Sequence, residues 1–224
     1  MDRHVFYDRP SAGALLGVEV GKLDLDNPVV LGLPRGGLPV AAKVAEALGA
    51  PLDVIVVRKL GAPYQPELAM GAIGENGTIV LNQDVIRDSH VSEQELSQAE
   101  SRERAELDMR LHRVRSVRPR QSMVGRSVVI VDDGIATGAT IRAAILVARA
   151  SGALDVTVAT PVAPPEVVET LKSEADRVVC LAQPHPFWAV GSWYRHFDAV
   201  SDDDVLELVR SAMIPAVDTI VGSP

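Results

Sequence analysis

The chain has 224 residues, 47% of them hydrophobic and 23% charged, which is enough to bury one sizeable core. Its formal net charge of −8 argues against a surface that holds nucleic acid by bulk electrostatics. A single cysteine, Cys180, excludes an intrachain disulfide and a cysteine zinc site, and no apolar run approaches the ~18 residues of a membrane helix.

The opening Met1-Asp2-Arg3-His4 leads into no apolar signal segment, so a reducing, cytoplasmic setting is expected. Residues 8–20 read as a helix with Pro10 in its first turn. Val29-Val30-Leu31 is the heart of a first strand over 28–33. Residues 39–48 form a helix that buries Ala41, Ala42, Val44, Ala45 and Leu48 and ends at Gly49. Residues 52–57 read as a second strand. Gly61-Ala62-Pro63-Tyr64-Gln65-Pro66 holds too much Gly and Pro for regular structure. The runs 68–73 and 78–81 flank Glu75-Asn76-Gly77, a hairpin signal.

Ser92-Glu93-Gln94-Glu95 is a capping box that opens a long polar helix to about Arg115. Its apolar seam of Leu96, Ala99, Leu107, Leu111 and Val114 is thin, so a surface helix or an arm over about 92–118 is expected. Glu100/Arg104 and Glu106/Arg110 have the spacing of ion pairs on its wet side. Residues 128–131, 156–159 and 177–181 read as strands, 139–150 as a helix ended by Gly152, and Pro164-Pro165-Glu166 as the start of another. Residues 184–197 are aromatic-rich and irregular. Ser201-Asp202-Asp203-Asp204 caps a last helix to about residue 213. Strands alternating with helices favour one α/β domain over 1–224, with a mostly parallel sheet and helices on both faces.

Val128-Val129-Ile130-Val131-Asp132-Asp133-Gly134-Ile135-Ala136-Thr137-Gly138-Ala139-Thr140 carries the most chemistry. A buried strand delivers two carboxylates to the sheet's carboxyl edge, where open α/β folds bind ligands. The loop that follows offers backbone N–H groups, the hydroxyls of Thr137 and Thr140, and a helix start, all suited to phosphate. Acids for hydroxyls or a metal, set beside a phosphate cradle, match a ribose 5-phosphate. The loop has no Gly-Lys-Thr/Ser and is not a Walker A loop.

This segment resembles the phosphoribosyl-pyrophosphate (PRPP) motif of the type I phosphoribosyltransferases: a hydrophobic strand, two acids, and a Thr/Ser-x-Gly-x-Thr/Ser-like loop. The resemblance implies a Rossmann-like fold with a small hood formed by about 184–213 and N-terminal residues. It implies Mg²⁺-dependent transfer of a phosphoribosyl group from PRPP to a nucleobase, purine-like, with release of pyrophosphate. A homodimer is expected, with no nucleic-acid partner and no membrane. An alternative on the same fold is a regulator that senses PRPP or a nucleotide without turnover, or one that binds RNA.

By the same resemblance, Asp132 and Asp133 bind the ribose 2- and 3-hydroxyls and meet Mg²⁺ directly or through ribose or water. Gly134, Ile135, Ala136, Thr137, Gly138, Ala139 and Thr140 wrap the 5-phosphate. Gly32-Leu33-Pro34-Arg35-Gly36-Gly37 becomes the pyrophosphate loop, with Arg35 as a catalytic cation, Gly36 and Gly37 as amide donors, and Arg35 as a candidate for the family's non-proline cis peptide. Arg58 and Lys59 face the pyrophosphate, Lys59 in a catalytic role. Residues 61–66 become a mobile lid, with Glu67 beside the base.

One position departs from the pattern. The hypoxanthine and guanine enzymes place an aspartate two residues before the loop glycine to serve the base. Ala136 stands there in this chain, so 6-oxopurine specificity is not implied. Phe187, Trp188 and Trp193 are candidate rings for stacking on the base, against the plainer reading of a satellite core. The arginines at 110, 113, 115, 118, 120 and 126 read as a solvated helix end, with RNA, a phosphate ligand or a partner subunit as functional options. The five histidines show no metal-ligand spacing.

Overall fold

The computed structural model describes residues 5–212, except for the side chains of Pro66 and Glu67. Five parallel strands form the main sheet: β1 (Val29–Gly32), β2 (Leu52–Val54), β6 (Ser127–Val131), β7 (Asp155–Val162) and β8 (Arg177–Ala182), in the order β2-β1-β6-β7-β8. A second, antiparallel sheet holds β3 (Val57–Ala62), β4 (Gln65–Gly74) and β5 (Ile79–Leu81). β1 and β6 are buried at every position, as near-continuous Val/Ile/Leu runs require of a parallel sheet covered on both faces.

Alternation along the strands builds two cores. Val30, Val129 and Val131 face one cluster with α1 (Arg9–Val20) and α2 (Gly37–Leu48). Val29, Leu31, Val128 and Ile130 face the other, with α5 (Ala139–Ala150) and α6 (Pro165–Lys172). α1 begins where expected: Asp8 accepts from the Ser11 N–H at 2.8 Å and completes a capping box.

The reading of 52–57 as one strand is corrected. β2 ends at Val54, Ile55 makes one more bond to the Gly32 carbonyl, and the chain then leaves for the second sheet at Val57. A continuous apolar run carries no mark of a change of sheet. The reading of 61–66 as irregular is also corrected, because β3 and β4 form a hairpin around Pro63 and Tyr64. Its register runs from Ala62 opposite Gln65 to Gly61 opposite Ala69, and Pro66 sits in this bulged stretch where no ladder N–H is needed. The Glu75-Asn76-Gly77 turn joins β4 to β5 as expected, with Asn76 and Gly77 at φ of 59° and 72°.

α4 (Glu93–Arg115) starts at the Ser92 capping box and buries Ala99, Leu107, Leu111 and Val114. It packs along β3, β4 and α7 (Asp202–Ser211) rather than projecting as an arm. A short helix, α3 (Gln83–Asp88), capped by Asn82, was not foreseen.

The arginine-rich stretch is a solvated helix end only in part: Arg110 and Arg113 are exposed, and the others are bound within the fold. Arg115 binds Asp53 at 2.8 Å and Glu75 at 2.7 Å, and Arg118 is buried and donates to the carbonyls of Val209 and Ala212. Arg113 pairs with Asp202, Arg120 reaches Ser151, and Arg126 donates to the carbonyls of Asn27 and Pro28. These side chains tie the end of α4 and the following loop to the main sheet and to α7. Cys180 is half-buried against the second core, and burial pushes its thiol up to about 11, so it packs as a small apolar group.

Candidate functional site

β1 pairs with β2 on one side and β6 on the other, so the strand order reverses between β1 and β6. Open α/β sheets form a crevice at such a point, beyond the carboxyl ends of the strands. The loop after β1 (33–36) and the loop after β6 (132–138) meet there. Each leads into a helix with no side-chain cap: α2 behind Gly36 and α5 behind Gly138. α1, α3, α4 and α7 are capped by Asp8, Asn82, Ser92 and Ser201, while α6, which starts behind Pro164, also has no side-chain cap. α2 and α5 both bring a positive dipole end to the crevice, and α5 adds its first-turn N–H groups for an anion. At α2 the expectation of Gly37 as an amide donor is corrected: its N–H donates to the Leu33 carbonyl at 3.0 Å and that of Leu38 to the Arg35 carbonyl at 3.2 Å, while Pro39 has none.

Gly138 holds φ at 79°, the left-handed turn that starts α5. Ala136, Thr137 and Thr140 are exposed along this loop, while Gly134 and Ile135 are buried beneath it. Gly36 and Gly37 lie directly on the acid pair. A β-carbon at Gly36 would overlap the Asp133 carboxylate, and one at Gly37 would come within 2.7 Å of the Val131 carbonyl. The Pro34–Arg35 peptide bond is cis, at the position the resemblance implied.

The two acids differ in surroundings. Asp132 accepts from the Asp133 backbone N–H at 2.9 Å, and burial together with the neighbouring Asp133 charge pushes its carboxyl well above the usual range. Asp133 is gripped by Arg9, whose Nε donates to Oδ2 at 2.7 Å. The Tyr194 hydroxyl donates to the Asp133 carbonyl, and burial pushes that phenol up strongly.

The cations take separate places. Arg35 is exposed and stands 3.7 Å from Asp202 at the start of α7. Arg58 donates to Glu103 of α4 at 2.8 Å. Burial alone would raise Glu103, but hydrogen bonds from Arg58 and Arg102 bring it below the usual carboxylate range. Arg58 and Lys59 both line a cavity of about 920 Å³ that opens onto the crevice through Leu33, Pro34 and Thr140. The side chain of Glu67 lies outside the described residues.

The aromatic run is not brought into this cavity. Phe187 and Trp193 stack on each other at 6.3 Å, and Trp188 is 74% exposed. Val190 fills the space over Gly134, so the run backs the acid loop. Phe6, Tyr194 and Val162 form a small core of their own beneath it, with Phe187, Val190 and Trp193 packed against them.

Arg9 and Tyr194 were missed by sequence reasoning. Tyr194 carried no signal beyond its aromatic neighbours. Arg9 carried one: a cation at the first position of a helix opposes the helix dipole and calls for a tertiary partner.

The sequence profile of the phosphoribosyl transferase domain matches residues 14–194. A protein of Mycobacterium tuberculosis strain H37Rv, whose name assigns it provisionally to the phosphoribosyl transferases, is 51% identical over 208 residues. That match covers 93% of this chain and 47% of the relative, so the chain spans about half the length of the curated relatives it matches. The crystal structure of TT1426 from Thermus thermophilus is similar with a TM-score of 0.87 and 48% identity, over 92% of this chain and 97% of that one.

Proposed function

The chain belongs to the phosphoribosyl transferase domain family, and from that premise we propose that it binds PRPP in the β1/β6 crevice and transfers the phosphoribosyl group to a purine-like nucleobase. One observation carries the reading: an acid pair lies between two uncapped helix N-termini at the point where the strand order reverses. The acids suit sugar hydroxyls, and the amide-lined loops suit the 5-phosphate and the pyrophosphate.

In the transfer, a ring nitrogen of the base attacks the anomeric carbon. The C–N bond forms as the C–O bond to pyrophosphate breaks, and pyrophosphate leaves with the electron pair. The base N–H proton is released. Asp132 and Asp133 hold the sugar while positive charge grows at its anomeric carbon. The positive dipole end of α2, with Arg35 and Lys59, receives the negative charge of the leaving group. Thr137, Gly138, Ala139 and Thr140 anchor the 5-phosphate and so fix the reacting carbon.

Magnesium belongs to this proposal as the companion of PRPP. Among the described residues no group of three or more His, Cys, Asp or Glu could hold an ion by itself. The two carboxylates of Asp132 and Asp133 fit an ion that keeps waters and ligand oxygens, as Mg²⁺ does. Bound there, it would supply positive charge to the departing pyrophosphate. No helix among the described residues is long and apolar enough to cross a membrane.

The test is calorimetry of Mg²⁺–PRPP on the wild type and on Asp132→Asn with Asp133→Asn, followed by a pyrophosphate-release assay across a nucleobase panel. Binding that the double variant loses, with release on at least one base, is the expected result. Equal affinity in the variant would overturn the site, and tight binding without release on any base would overturn the transferase reading.

A further inference from the structure

We propose that Arg9, which lies outside every recognised motif, is a positioning residue for the ribose-holding acid. The inference rests on the PRPP reading of the crevice. The Arg9 side chain is only 10% exposed. Its Nε donates to Oδ2 of Asp133 at 2.7 Å, one terminal nitrogen donates to the Asp198 carbonyl at 2.7 Å, and its guanidinium carbon lies 3.8 Å from the centre of the Phe197 ring. A planar cation held by an acid, a carbonyl and an aromatic ring has little freedom, so the acid it grips has little either.

Arg9 takes Oδ2 of Asp133, and Oδ1 is the oxygen proposed to meet a sugar hydroxyl. The same carboxylate lies against Gly36, its Oδ2 in the space a β-carbon there would need, so the loop after β1 packs directly on the oxygen that Arg9 holds. The Tyr194 hydroxyl holds the Asp133 carbonyl. Both ends of Asp133 are therefore held from remote parts of the chain, the start of α1 and the segment 194–198. Arg9 also places a positive charge beside two adjacent carboxylates, which offsets the repulsion between them. The motif supplies the acid, and Arg9 sets its orientation.

A purely structural role would tie α1 to the acid loop and nothing more. A double-mutant cycle separates the two roles, read by calorimetry as the Kd for Mg²⁺–PRPP and for ribose 5-phosphate. The proteins are the wild type, Arg9→Gln, Asp133→Asn and the double variant. Arg9→Gln is expected to weaken binding by about tenfold to a hundredfold, the range of one charge-assisted hydrogen bond. In the Asp133→Asn background the same change is expected to alter Kd by less than about twofold, because Arg9 acts through that carboxylate. An equal loss in both backgrounds, or no loss in the wild-type background, would overturn the proposal.

Should Arg9→Gln fail to fold, Arg9→Lys is read in the same cycle. Its ammonium can hold Oδ2 without reaching the Asp198 carbonyl, so a smaller loss is expected, again confined to the background with Asp133 intact. The wild type is measured first. If it binds neither ligand, the PRPP reading falls and this inference with it. If it binds and Arg9→Gln binds equally well, only the inference falls.

Discussion

Gly36 and Asp133 share one space: the carboxylate fills the volume that any β-carbon at position 36 would need. The backbone of Gly36 is ordinary right-handed helix, at φ −62° and ψ −32°, so the glycine is required for close approach and not for conformational freedom. The loop after β1 and the acid pair after β6 come together only because that side chain is missing. Gly36→Ala is therefore expected to push Asp133 off Arg9 and weaken Mg²⁺–PRPP binding by at least about tenfold. The fold, read by circular dichroism, should survive, and unchanged affinity would count against the packing described.

Gly138 is required for the other reason. At φ 79° an L-residue costs roughly 1–2 kcal/mol, and a β-carbon there would meet Val167 at 3.3 Å. Gly138→Ala should lower thermal stability by about that amount and should also weaken ribose 5-phosphate binding, because the turn aims the first amides of α5. A variant that loses stability while keeping its full affinity would show that the α5 start does not hold the phosphate.

Glu103 gives a signed pH dependence. Its carboxyl titrates below the usual range because Arg58 and Arg102 hydrogen-bond it, against the opposing effect of burial. A depressed carboxylate contributes stability that is present above its unfolded value of about 4.3 and is lost as pH falls through the folded value. Glu103→Gln should cost about 1 kcal/mol near neutrality, since Arg58 remains partly exposed. Melting curves from pH 3 to 7 should show the two proteins converging toward the acid end. A constant gap over that range would refute the ion pair's contribution.

Arg115 joins α4 to the main sheet through Asp53, which is 1% exposed, and to the β4–β5 turn through Glu75. Arg115→Met leaves a buried carboxylate without its cation, and the expected loss is about 3 kcal/mol. In a chain of this size that corresponds to a fall in Tm of roughly 6–12 °C. A fall of only a degree or two would show that the bonds to Asp53 from the Val54 and Gln121 backbone N–H groups suffice alone.

Much of the candidate site was legible in the residue order, because its elements are contiguous. The strand, the acids Asp132 and Asp133, the loop to Thr140 and the start of α5 are contiguous, and each follows from short-range rules on β-branched runs, small-residue loops and helix starts. The same rules found α1, α2, α4 and α7. They failed wherever a decision depended on distant partners. Residues 52–57 divide between two sheets because of what they pair with, and Pro66 fits inside a strand because the hairpin bulges there.

The sequence by itself determined that a two-acid, amide-lined loop stands at the end of a buried parallel strand. Only the tertiary structure decided that Asp133 is gripped by Arg9 from 124 residues away, that the aromatic run backs the acid loop without lining the cavity, and that most of the basic stretch at the end of α4 and in the loop beyond it is bound within the fold. The physical reason is range. Propensity, capping and turn chemistry act over a few residues and can be read along the chain. Ion pairing and close packing act over a few ångströms, and the chain reveals those neighbours only once it has folded.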